Sequence, residues 1–90
     1  MKQVLAEVHG MVQGVWFRAW TTDLAASLGL TGWVRNTPAG TVETLAQGDE
    51  TALNEFVRHL HQGPVLARVE RVDTKFNSTE EKFNKFSVRH

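Results

Sequence analysis

Ninety residues carry ten acidic and ten basic side chains, so the chain has no net charge, and 41% of it is hydrophobic. That balance argues against a general nucleic-acid or anionic-membrane binder, which needs a basic excess. The absence of cysteine removes disulfides, thiol nucleophiles and thiolate zinc sites.

This length suits one domain, residues 1–90, around a single core. No targeting pattern or long apolar run is present, and Met1-Lys2-Gln3-Val4 enters a strand at once. A cytoplasmic protein is the expectation. Arg18 and Arg35 lie among few acids, which leaves a local basic site open.

From Gln3 to His9, Val4, Ala6 and Val8 alternate with polar neighbours, the pattern of a half-buried strand that only Leu5 breaks. Phe17, Trp20, Leu24 and Leu28 then recur at helical spacing, and Gly29 supplies a stop. This Trp and Leu stripe is expected to face the core. Leu30–Asn36 and Thr41–Gln47 read as strands joined by the turn Thr37-Pro38-Ala39-Gly40, a hairpin.

Asp49 is a fitting N-cap for a second helix, in which Leu53, Phe56, Val57 and Leu60 fall at i, i+3, i+4 and i+7. Gly63-Pro64 ends it. His59 and His61 are two apart and so face different ways on a helix, and His9 has no ligand partner in sequence, which speaks against a metal site at any of the three. Leu66–Phe76 reads as a long strand, Asn77–Lys82 as a solvated charged loop, and Phe83, Phe86 and Val88 as a short last strand.

Along that strand and the residue before it, Val65, Ala67 and Val69 lie on one parity and Val72, Thr74 and Phe76 on the other. A strict two-residue period would turn one set to solvent, so a β-bulge is expected near Glu70 and Arg71, keeping both sets on the core. The predicted fold class is α+β: a ferredoxin-like βαββαβ sandwich with an antiparallel sheet, two helices on one face and a short extra C-terminal strand.

That plan hosts many functions. An RNA-recognition reading requires stacking aromatics on the central strands, and neither the first strand nor Thr41–Gln47 has any. No Ser/His/Asp grouping or carboxylate cluster suits nucleophilic or two-metal hydrolysis.

The informative stretch is Gly10-Met11-Val12-Gln13-Gly14-Val15-Trp16-Phe17-Arg18, where two glycines follow a strand and an arginine opens a helix. Such a turn can aim successive N–H groups at one anion, the helix start adds more, and Arg18 can fork onto two phosphate oxygens. The loop lacks the Lys-Ser/Thr ending of a nucleotide P-loop. With Asn36 at a neighbouring strand end, this set could hydrolyse a phosphate whose leaving group needs no proton. An acyl phosphate meets that condition. An anion-binding sensor would show the same residues.

The chain resembles the acylphosphatase family from end to end. Val8 to Arg18 matches the family's signature Gly-x-Val-Gln-Gly-Val-x-Phe-Arg, and Gly32-Trp33-Val34-Arg35-Asn36-Thr37-Pro38-Ala39-Gly40-Thr41-Val42-Glu43, continuing to Gly48, matches its second. Leu28-Gly29-Leu30, Gly63-Pro64 and Ala67-Arg68-Val69 are also similar to the bacterial members.

The resemblance implies phosphate binding by Gln13, Gly14, Val15, Trp16, Phe17 and Arg18 through the backbone and the Arg18 side chain, and orientation of the attacking water by the Asn36 amide. It further implies an acyl phosphate substrate, inorganic phosphate as product and inhibitor, no metal, no cofactor, no covalent intermediate, and a monomer engaging neither nucleic acid nor membrane. The same domain also begins large carbamoyl-transfer maturation factors of hydrogenases, so an appended, non-catalytic role is the alternative.

Overall fold

Alternation puts Val4, Ala6 and Val8 on one face of the first strand, and each is fully buried there. A computed structural model describes all 90 residues, Met1–His90. In order they form β1 (Lys2–Met11), α1 (Phe17–Ser27), β2 (Thr31–Asn36), β3 (Val42–Gln47), α2 (Glu50–Leu60), β4 (Arg68–Ser78) and β5 (Phe86–Arg89).

The sheet runs β4-β1-β3-β2-β5. β1 is antiparallel to both β3 and β4, and β2 is antiparallel to β3, which is the expected βαββαβ frame. The added strand β5 lies outside β2 and parallel to it, so the complete sheet is mixed rather than antiparallel throughout. α1 packs over β2 and β5, and α2 over β1. Both helices share one core with Val4, Ala6, Val8, Val34, Val42 and Ala46 of the sheet.

The helices bury slightly different lines from those the spacing predicts. In α1 the buried residues are Phe17, Thr21 and Ala25, while Trp20, Leu24 and Leu28 pack half-buried at the margin of the core. Small residues at 21 and 25 let the helix sit close to the sheet. The buried Thr21 hydroxyl is satisfied by donating to the Phe17 carbonyl at 2.8 Å. In α2, Leu53, Phe56 and Leu60 are buried, with Phe56 edge-on to Phe86 at 6.2 Å; burying each such side chain contributes about 1.5–3 kcal/mol. Asp49 holds the N-cap position, but its side chain makes no capping hydrogen bond.

The bulge is where the sequence predicts it. His9 pairs with Arg71 and Gly10 with Val69, leaving Glu70 as the extra residue of β4. Val69 and Val72 consequently both pack against the core. The outer members of the two sets do not: Val65 is 99% exposed in the turn before β4, and Phe76 is 50% exposed. β4 is an edge strand, and Phe76 borders an open cleft shared with Glu50, Leu53 and Asn54 of α2 instead of being covered by the helix.

The segment after β4 also departs from expectation. Asn77 and Ser78 belong to the strand, and the connection to β5 is held by Gln47 instead of lying free in solvent. The Gln47 amide donates to the Glu81 carbonyl at 2.8 Å and its oxygen accepts from the Phe83 N–H at 3.1 Å. That contact leaves Gln47 1% exposed on the face of the sheet away from the helices. On the same face the Arg89 guanidinium stacks 4.8 Å from the Trp33 ring. Val88 and His90, one residue to either side, turn the opposite way, toward α1.

Candidate active site

The loop between β1 and α1 is shaped by two left-handed residues. Gly14 has φ 74° and Trp16 has φ 66°, ψ 19°. The first costs little; the second costs a bulky residue about 1–2 kcal/mol. Together they curl the loop, and the helix begins at Phe17 with no side-chain cap at Trp16. The six N–H groups from Gly14 to Ala19 have no acceptor within the chain. Unpaired donors at a helix start are the kind of group that can bind an anion.

Arg18, in the first turn of α1, is half-buried and pairs with no carboxylate. Its one polar contact is a weak one, donated to His90 Nδ1 at 3.5 Å. Arg35, which the sequence leaves as a second free cation, is bound by Glu43 at 2.7 Å. Asn36 ends β2, and its half-buried carboxamide makes no hydrogen bond in the chain.

One cavity of about 540 Å³ is lined by Gly14, Trp16, Phe17, Arg18 and Asn36, together with Val12, Ala19, Val88 and His90. Of the sequence candidates, Val15 and Gln13 stay outside this lining. Gln13 turns its amide the other way and donates to the Thr37 and Thr41 carbonyls, each at 2.9 Å. It ties the loop to the turn that follows Asn36, and so fixes the cradle relative to that amide. Thr41 continues the tie by donating to Glu7 at 2.8 Å.

Gln13→Glu keeps the side chain's shape but sets a carboxylate against two carbonyl oxygens. It is expected to lower stability by about 1–3 kcal/mol, read as a shift of the urea midpoint at pH 7. An unchanged midpoint would show the clamp to be idle.

The sequence shows no ligand cluster around His9, yet the fold supplies neighbours for it. Asp73 lies 3.0 Å and Glu7 3.7 Å from His9 Nε2. The Arg71 guanidinium is already the cation there, 3.3 Å from His9 and 3.2 Å from Asp73. None of these residues lines the cavity.

Fold and site together define an α+β sandwich that presents, at the end of its sheet, a loop of unpaired N–H groups, one guanidinium without a carboxylate and one free amide. Residues 4–88 match the sequence profile of the acylphosphatase family. The chain is 49% identical to the acylphosphatase of Lactobacillus johnsonii over 98% of both chains. Its structure superposes on the crystal structure of acylphosphatase from Bacillus subtilis with a TM-score of 0.97 and 36% identity, covering all of both chains. It also matches T.kodakarensis HypF with a TM-score of 0.86 and 29% identity, over 99% of this chain and 12% of that one. The chain belongs to the acylphosphatase family.

Proposed function

We propose that this chain hydrolyses acyl phosphates to a carboxylate and inorganic phosphate. The supporting observation is the convergence on one cavity of unpaired loop N–H groups, the Arg18 guanidinium without a carboxylate partner, and the unbonded Asn36 amide. The unpaired N–H groups of Gly14, Trp16, Phe17 and Arg18 and the Arg18 fork hold the phosphoryl oxygens, while Gln13 braces the loop from behind. Asn36 orients a water in line with the leaving group.

The water oxygen bonds to phosphorus, the acyl oxygen–phosphorus bond breaks with its electron pair left on the carboxylate, and the water's proton passes to a phosphate oxygen. A carboxylate leaves as a stable anion, so no general acid is required. Positioning and charge stabilisation suffice, as phosphoryl transfer generally asks. On this reading the chain acts as a monomer, without metal or cofactor.

The test is hydrolysis of benzoyl and acetyl phosphate by the purified chain in excess EDTA. Turnover is expected to be unaffected by the chelator, with inorganic phosphate and sulfate as competitive inhibitors. Loss of turnover on chelation, restored by added divalent ions, would overturn the metal-free mechanism. Phosphate binding with no turnover at all would mark a binding module of the appended kind.

A further inference from the structure

We infer that Trp16, with Val88 and Ala19, forms a subsite for the acyl end of the substrate and favours planar aromatic acyl phosphates; this rests on the hydrolase reading above. The cavity is larger than its phosphate-holding part. An anion of five heavy atoms takes on the order of 100 Å³, a few times a water's share of about 30 Å³, against about 540 Å³ in the cavity. Five of the nine lining residues carry apolar side chains that offer nothing to a phosphate: Val12 and Phe17, both buried, and Trp16, Ala19 and Val88 nearer solvent.

Trp16 is 76% exposed, an unusual position for the largest apolar side chain. Its left-handed backbone helps shape the nest, and the same residue is among those that line the cavity the nest opens into. Anchoring the phosphoryl group in the cradle leaves the acyl group within reach of the indole and the Val88 methyls. A flat aromatic acyl group can stack on an indole face, whereas an acetyl group is too small to cover it. His90 stands on the same lining beside Arg18, and leaves the rim polar there.

The contact persists in ground and transition states alike, so it is expected to appear in KM more than in kcat. Trp16→Gly removes the indole and accepts the left-handed backbone; because the loop here also holds the phosphoryl group, the readout is a ratio of two substrates sharing one cradle, from which any change in the cradle divides out. The measurement is the ratio of kcat/KM for benzoyl over acetyl phosphate in wild type, Trp16→Gly and Trp16→Phe. The ratio is expected to fall about tenfold in Trp16→Gly, chiefly through the KM for benzoyl phosphate, and to be largely kept in Trp16→Phe. Wild type turning over both substrates with a ratio untouched by Trp16→Gly would overturn this inference alone. Wild type turning over neither would overturn the hydrolase reading and this inference with it.

Discussion

Asn36→Ala is expected to lose on the order of a hundredfold or more in kcat for benzoyl phosphate, about 2.7 kcal/mol of barrier. The inhibition constant of inorganic phosphate should stay within about twofold, because the nest and Arg18 are untouched. Folding should survive: Asn36 ends a strand beside a turn, and its carboxamide leaves no partner orphaned. Arg18→Ala makes the contrast. It removes a charge-assisted fork used in ground and transition states alike, worth about 1.5–3 kcal/mol. Phosphate affinity and turnover should therefore fall together, the first by roughly 10- to 100-fold. Near-normal turnover in Asn36→Ala, or a loss of phosphate binding as large as that of Arg18→Ala, would break the proposed division of roles.

Gly10→Ala is expected to cost about 3 kcal/mol or more, a large share of the total stability of a domain this small. Gly10 has φ 129°, which side-chain-bearing residues rarely adopt, and a methyl there would run into the Arg68 carbonyl oxygen. That oxygen belongs to the backbone of β4 at the bulge, so it cannot rotate away as a side chain would. Either the β1–β4 pairing opens or the strand leading into the cradle shifts. Urea unfolding of the variant measures the first, and phosphate affinity the second. Wild-type values for both would show that β4 yields freely at Glu70. Relief of the strain by re-registering β4 should expose Val69 or Val72, because a one-residue slip turns a strand's side chains over.

The bulge illustrates how far the sequence reaches. The parity change between Val69 and Val72 puts a bulge near Glu70 and Arg71, and the register then shows Glu70 to be the extra residue. Val65 and Phe76 stay exposed although alternation expects them inside, because alternation sets which side a residue faces and not whether anything lies above it. Likewise, the spacing of Trp20, Leu24 and Leu28 finds α1, but size misleads about its deepest line: Thr21 and Ala25 are buried because close packing against a sheet favours small side chains. The charged composition of 77–82 hides its tether to Gln47, whose partners are backbone groups that no residue pattern reports.

By itself the sequence determined the order of elements, the hairpin, the glycine loop opening a helix at Arg18 and the placement of Asn36 at a strand end. These follow from local periodicity and turn chemistry, which act over a few residues. The tertiary structure alone decided that β5 runs parallel to β2, and with it which distant residues reach the cavity. Parallel pairing sets the last residues of β5 beside the Asn36 end of β2, bringing Val88 and His90 to the cradle from more than fifty positions away. It also decided that Arg18 stays unpaired while Arg35 meets Glu43 across the hairpin. Arg18 stays free because its neighbours in space include no carboxylate, and proximity of that kind is set by the packing of the whole sheet.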